Sequence, residues 1–181
     1  MTTALPPLAT LAQLAAWMQR TPAELPEGAA LVLDVASAVV RSEARSDFTR
    51  RVTTATFSPR DGWITLPLRP VVRVDAVTVA GGAVEPYGWL LAGDRLRVMQ
   101  HPYTPALITY TSGYGAVPGD VLAVVLTLAA RILNNPADLR QEAVGGVSVT
   151  YAAETIGASL APAERDQLAR YRRRAAMVSL E

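Results

Sequence analysis

Apolar residues near the start of the chain recur every three or four positions, which is the spacing of one helical face. The first such stretch follows Thr10, which forms a capping-box pattern with Gln13 three positions later. A second stretch follows the proline-containing connector at residues 21–28. Its apolar stripe consists of Leu31, Val35, Ala38 and Val39. The pattern therefore predicts an N-terminal helical hairpin over residues 8–46.

The pattern changes to a β type over residues 52–112, which are rich in Val, Thr and Ile. Pro67 and Pro70 are expected to mark a sheet edge or a break between strands, because proline cannot donate to a strand ladder. Turn signals recur at Asp61-Gly62, Gly81-Gly82 and Gly93-Asp94. These features predict a β-rich insert of four to six short antiparallel strands.

A long apolar stretch predicts a central helix over residues 118–134. Pro118 suits the first helical position, and Asp120 suits the first turn, where the helix dipole favours a negative charge. Apolar side chains cover most of the helix circumference, and only Arg131 interrupts them before the Asn-Asn-Pro sequence that ends the helix. Such a helix is buried on all sides, either at the centre of the domain or at a subunit interface.

Two further elements follow the central helix. Val147, Val149 and Tyr151 alternate with polar residues and predict a strand over residues 144–152. Pro162 opens a predicted C-terminal basic helix over residues 162–176. Its arginines are Arg165, Arg170, Arg172, Arg173 and Arg174. The whole chain, residues 1–181, is thus predicted to be a single α+β domain, with a helical core that carries an antiparallel β insert.

Composition narrows the possible chemistry. The 181 residues contain no cysteine and one histidine, and all 17 basic residues are arginine. These counts exclude a disulfide scaffold, thiol catalysis, a multi-histidine metal site, a P-loop lysine and a Schiff base. The start of the chain lacks the pattern of a targeting signal, and the longest apolar run is shorter than the roughly 20 residues that span a bilayer. We therefore expect a soluble, intracellular protein.

No catalytic pattern is present. His101 lies between β segments without a nucleophile-elbow sequence nearby, and Asp61 and Asp94 stand beside glycine at expected turns. The sequence therefore predicts no catalytic residues, no metal site and no cofactor. An enzyme that uses His101 with a nearby carboxylate remains an alternative at this stage.

Charge is distributed unevenly along the chain. Residues 1–40 hold one arginine against three carboxylates, and residues 165–174 hold five arginines against one carboxylate. The arginine cluster could bind nucleic-acid phosphates or an acidic protein surface, or it could be a solvated helix end.

Several segments, in this order, resemble a known family. They include ITYTSGYGAVP before the central helix, EAVGGVSVTYA after it and LAPAERDQLARYRRR near the end. The chain resembles the head–tail connector proteins of long-tailed double-stranded DNA bacteriophages, also called head-completion or adaptor proteins. It is most similar to the type found in actinobacterial phages and prophages. One departure is Ala161, which stands where such proteins often have a capping Thr or Ser, a loss of about 1 kcal/mol.

The resemblance implies a structural role in the virion at the head–tail interface, after assembly in the host cytoplasm. Copies would form a ring, typically dodecameric, that binds the portal protein, extends the DNA channel and docks a stopper or tail-completion protein. Double-stranded DNA would pass without sequence-specific binding, and the isolated chain could be a monomer.

The resemblance also implies two sets of contact residues. Portal docking would involve Val147, Val149, Tyr151, Arg165, Arg170, Arg172, Arg173 and Arg174. Subunit packing would involve Leu31, Val35, Val39, Val125, Leu128 and Ile132. The alternatives are a nucleic-acid-binding protein that uses the C-terminal arginine helix and another ring component of the neck or tail.

Overall fold

The structure, a computed structural model, describes residues 5–135, 141–144, 147–150 and 158–172. The chain divides into two compact units. The helical unit comprises residues 1–47 and 117–181, and the β unit comprises residues 48–116. The predicted α+β class, with helices and an antiparallel β insert, is confirmed.

Four α-helices lie in the described part of the helical unit. They are α1 (Leu11–Trp17), α2 (Ala29–Ala44), α3 (Gly119–Asn134) and α4 (Pro162–Ala169). The capping box at the start of α1 is formed as expected. The Gln13 amide donates to the Thr10 hydroxyl at 3.2 Å, and the Thr10 amide donates to the Gln13 side chain at 2.8 Å.

Helix α2 buries a different face from the one that its large apolar residues suggested. The buried residues are Ala29, Leu33, Ala36, Ser37, Val40 and Ala44. The predicted stripe faces the other way, and Leu31 is 68% exposed. Small side chains on the buried face allow close packing, and the Ser37 hydroxyl accepts from the Leu8 amide at 2.9 Å and donates to the Leu33 carbonyl at 2.6 Å.

Helix α3 is the buried central helix that the sequence predicted. No residue from Val121 to Leu133 is exposed. Six of its apolar residues are buried: Val121, Val124, Val125, Leu126, Leu128 and Ala129.

The β unit contains seven strands rather than four to six. Antiparallel pairing orders the larger sheet as β1 (Arg51–Phe57), β7 (Ala106–Ser112), β3 (Val71–Val79) and β4 (Gly82–Ala83). The smaller antiparallel sheet is ordered β2 (Ile64–Thr65), β6 (Arg95–Val98) and β5 (Trp89–Ala92). The core of the unit includes the buried residues Ile64, Leu66, Val77, Leu96, Val98, Ile108 and Tyr110.

The turn residues of the β unit behave as their chemistry predicts. Asp61 and Gly62 have φ angles of 51° and 77°, and the flanking Arg60 and Trp63 bond to each other through both backbone groups. Gly113 follows β7 directly and has a φ angle of 93°. A Cβ atom at this position would lie 1.9 Å from the Thr49 carbonyl oxygen. Only glycine fits this position.

The last two predicted elements differ from the elements that the structure describes. Near the predicted strand over residues 144–152 the described strands are β8 (Gln141–Val144) and β9 (Val147–Thr150), which pair as an antiparallel hairpin. Residues 145, 146, 151 and 152 lie outside the described residues. The C-terminal helix does not run through residues 162–176 as predicted, because α4 ends at Ala169 and Arg170, Tyr171 and Arg172 follow in turns. Residues 173–176 lie outside the described residues.

Candidate functional site

The candidate site is the C-terminal segment, which we define as residues 158–172. It belongs to the helical unit and contains α4. Leu160 and Leu168 anchor it by burial, with exposed fractions of 3% and 0%. Its polar side chains then reach α2 and α3 through three arginine–carboxylate pairs.

The first pair joins α3 to α4 in a partly buried position. The Arg131 Nη2 atom lies 2.5 Å from Glu164 Oε1, and the Arg131 Nη1 atom donates to the Ser159 carbonyl at 3.2 Å. The second oxygen of Glu164 accepts from the Ala161 amide at 2.8 Å. Glu164 therefore supplies half of a capping box, which partly offsets the missing side-chain cap at Ala161.

The second pair centres on Asp120, at the start of α3. Arg170 forms an ion pair with one oxygen of this carboxylate. The Tyr171 hydroxyl lies 2.8 Å and 2.9 Å from its two oxygens. The Gln167 side-chain amide also donates to the Asp120 carbonyl, at 3.4 Å.

The pKa values in this cluster shift as the contacts require. Partial burial acts to raise the pKa of Asp120, but hydrogen bonds from Tyr171 and Arg170 and the charge of Arg170 hold it below its ordinary value. Burial, together with the hydrogen bond to Asp120 and its negative charge, raises the pKa of Tyr171 to about 12. The hydrogen bond to Asp120 raises the pKa of Arg170. Both arginine and carboxylate are therefore charged across the physiological range.

The third pair joins the end of the segment to α2. Arg172 forms an ion pair with the Glu43 side chain, and its Nε atom donates to the Glu43 carbonyl at 2.9 Å. Arg172 therefore binds both the side chain and the backbone of one residue near the end of α2.

The residues predicted for portal docking fall into three groups. Arg170 and Arg172 lie in this segment with their charges already paired, whereas Arg165 is exposed and forms no ion pair with the described residues. Val147 and Val149 lie on β9, opposite Val144 and Glu142 of the hairpin. Tyr151, Arg173 and Arg174 lie outside the described residues.

The residues predicted for subunit packing are also separated by the structure. Val125 and Leu128 are fully buried within the helical unit, so they pack inside the subunit. Val39 and Ile132 are partly buried. Only Leu31 and Val35, with exposed fractions of 68% and 39%, offer substantial apolar surface to a neighbour.

Two partners of the site, Asp120 and Arg131, are not predicted by the sequence. The sequence pattern explains Asp120 only as a favourable charge in a first helical turn, and Arg131 only as an interruption of an apolar run. Arg131 did carry a usable signal, because a lone charge inside an otherwise apolar helix needs a paired carboxylate when it is buried. The sequence spacing does not indicate that this carboxylate is Glu164, because the two residues are 33 positions apart.

The arrangement is suited to holding a chain segment in place, and its chemistry is ion pairing. Within the described residues, no group of three metal-ligating side chains is found, and no helix is long and apolar enough to span a membrane. His101 lies exposed in a turn of the β unit.

Comparison with solved structures finds the same fold in a particle neck. The chain is similar to a protein in the neck of an empty gene transfer agent particle computed with C6 symmetry, with a TM-score of 0.57 and 20% identity. The match covers 98% of this chain and 95% of that chain. A protein in the neck of the native particle, computed with C12 symmetry, has a TM-score of 0.48, 18% identity, and coverage of 97% and 92%. No protein-family model matches the sequence, and no curated protein matches it.

Proposed function

We propose that this protein is a structural subunit of the neck of a phage-like particle, where its copies assemble into a ring. One observation carries the proposal: the fold of a neck protein extends over 98% of this chain, so both units are included. The absence of a catalytic pattern in the sequence agrees with a structural, non-enzymatic role. The protein would then be located in the virion.

The finer assignment is a head–tail connector, or adaptor, that docks on the portal protein through its C-terminal part. It is supported by the resemblance of the segments around residues 108–118, 142–152 and 160–174. Arg170 and Arg172 are already paired with Asp120 and Glu43 in the free subunit. To bind the portal directly, these two arginines would have to exchange those carboxylates for carboxylates of the portal protein. Arg165 is exposed and could engage a partner without any such exchange.

The remaining details rest on the resemblance alone. They are a dodecameric ring beneath the portal, contact with a stopper or tail-completion protein, passage of double-stranded DNA without sequence-specific binding and assembly in the host cytoplasm. The assignment to the type found in actinobacterial phages and prophages also rests on the resemblance alone.

Electron microscopy of purified particles that carry a tagged copy of this chain tests the neck assignment. Gold label should lie at the single vertex where the tail joins the head, and deletion of the gene should give filled heads without tails. Label at other vertices, or intact particles after deletion, would contradict the proposal.

The portal assignment needs a separate measurement. The purified chain is mixed with the portal protein of the same particle, and decorated rings are counted in electron micrographs. Arg165→Glu should reduce decoration, whereas Arg20→Glu, an equal charge change at another exposed arginine, should not. Equal decoration by both variants would exclude Arg165 from the docking surface.

A further inference from the structure

The two units carry net charges of opposite sign. The β unit has seven arginines and four carboxylates, a net charge of +3, and the helical unit has ten arginines and twelve carboxylates, a net charge of −2. The excess of positive charge therefore lies in the β unit and not in the unit that contains the basic end of the sequence. In the described part of the helical unit, Arg131, Arg170 and Arg172 are neutralised by carboxylates.

Available positive charge lies on one side of the smaller sheet, which we call the basic sheet face. Strand β6 alternates, so that Leu96 and Val98 are buried while Arg95 and Arg97 are exposed. The same face carries the exposed residues Leu90 and Ala92 on β5 and Thr65 on β2, which pair with these arginines.

The arginines of the basic sheet face are not neutralised, and one of them is held in place by an aromatic ring. The Arg95 guanidinium lies over the Trp63 ring, 5.0 Å from its centroid, which fixes the side chain and leaves its charge intact. Neither Arg95 nor Arg97 forms an ion pair with the residues that the structure describes. Beside Arg97 on this face, Leu90 is 47% exposed, so the face combines positive charge with uncovered apolar surface.

A matching surface lies on the helical unit, which we call the acidic helix stripe. Glu27, just before α2, is followed at helical spacing by Leu31, Asp34, Val35 and Ala38, and all five are exposed. This stripe faces away from the buried side of α2. It combines two carboxylates with the two exposed apolar residues of the predicted packing set. Neither carboxylate forms an ion pair within the described residues.

We infer that the basic sheet face of one copy docks against the acidic helix stripe of the next copy. Both surfaces are exposed on the same chain, their charges are opposite, and each carries exposed apolar residues that the other can cover. A contact between two different surfaces of identical subunits is heterologous, and it closes into a ring when the rotation between copies permits. The apolar residues supply burial, and the charges set the register. This inference rests on the proposed function, since it names the contact by which the ring forms.

A second copy explains both surfaces better than nucleic acid does. A phosphate backbone would neutralise Arg95 and Arg97 but would leave Leu90 uncovered. It would also leave the acidic helix stripe without a partner.

Two complementary charge-reversed variants test the contact. Sedimentation velocity of the full chain, over a range of concentrations, should show wild-type self-association that weakens with added salt. Arg95→Glu/Arg97→Glu makes both surfaces acidic, and Glu27→Arg/Asp34→Arg makes both basic. Each variant alone should associate at least about tenfold more weakly than wild type, because like charges then oppose each other. An equimolar mixture should associate again, since every contact between the two variants joins opposite charges.

Matched controls separate this contact from general charge effects and from unfolding. Arg20→Glu/Arg45→Glu makes the same charge change at exposed arginines outside both surfaces and should leave association unchanged. Thermal melting of each variant checks folding. Recovery in the mixture is itself a folding control, because unfolded chains could not restore it.

Three results would overturn the inference. They are a wild-type chain that stays monomeric at every concentration and salt, variants that associate like wild type, and a mixture that does not recover. Binding of duplex DNA that depends on Arg95 and Arg97, without self-association, would reassign the face to nucleic acid. The neck assignment is judged separately by the position of label on particles, so either conclusion can fail without the other.

Discussion

The Tyr171 hydroxyl lies 2.8 Å from Oδ1 and 2.9 Å from Oδ2 of Asp120, a residue 51 positions earlier in the chain. The single phenolic proton thus faces both oxygens of one carboxylate. This contact ties the turn after α4 to the start of α3, and Arg170 adds an ion pair to the same carboxylate.

Acid should loosen the C-terminal segment. The pKa of Asp120 is lowered in the folded protein from its ordinary value of 3.8, so its contribution to stability is present above that value and is lost as the pH falls through the folded pKa. The protection factors of the α4 amides, which compare observed hydrogen exchange with the intrinsic rate at each pH, should therefore fall below about pH 4. In Asp120→Asn the exchange should be faster at neutral pH and should lose this acid-dependent step. A step unchanged by the substitution would assign it to another carboxylate.

Alkali should act on the same contact through Tyr171. Its pKa is raised from 10.0 to about 12, so the stabilisation is present below pH 10 and is lost as the pH rises towards 12. Ultraviolet titration should show phenolate formation near pH 12 that decreases by one tyrosine in Tyr171→Phe. The substitution should also lower the free energy of unfolding by about 1 kcal/mol at neutral pH, because one hydrogen bond is lost. A titration curve near pH 12 that is the same in the variant as in the wild type would contradict this assignment.

The Arg131–Glu164 pair should show strong coupling in a double-mutant cycle. Glu164→Met leaves Arg131 without its carboxylate and removes the bond to the Ala161 amide, and it should cost about 2–3 kcal/mol. Arg131→Met should cost a similar amount. The double variant should be more stable than the sum of the two losses predicts, since no unpaired charge remains. Additive losses in chemical denaturation would show that the two side chains act independently.

Gly113 should tolerate no side chain. In Gly113→Ala the new Cβ would clash with the Thr49 carbonyl, and residue 113 would have to keep a φ angle of 93°. We expect the free energy of unfolding, measured by thermal melting, to fall by about 3 kcal/mol or more. Gly81 is the matched control, because its φ angle is 82° but no atom lies within 4 Å of the added Cβ. Gly81→Ala should cost only about 1 kcal/mol. Equal losses would mean that backbone strain, and not the clash, determines the effect.

Local signals predicted a large part of the fold. Strands β3 and β7 coincide with β-branched runs that are bounded by turn residues, and α3 coincides with an apolar run bounded by proline and asparagine. These elements are specified by their own residues.

The features that sequence reasoning missed depend on contacts between distant residues. Both faces of α2 carry apolar residues, and the buried one contains Ala36 and Ser37 because the neighbouring segments approach closely there. Likewise, the pairing of Arg170 with Asp120 joins residues 50 positions apart, and no spacing rule indicates it. Arginine is a good helix former, so the sequence predicts that α4 continues past Ala169. In the structure α4 ends there, and the side chains of Arg170 and Arg172 bind carboxylates on α3 and α2.

The pairing of β1 with β7 has a consequence for how this chain can change. Arg51 lies opposite Ser112, so the β unit begins and ends at neighbouring points. Strands inside it can be lengthened, replaced or lost without moving the two points at which the helical unit continues. The residues of the β unit can therefore change in number and type between related proteins while the helical unit keeps its sequence and fold.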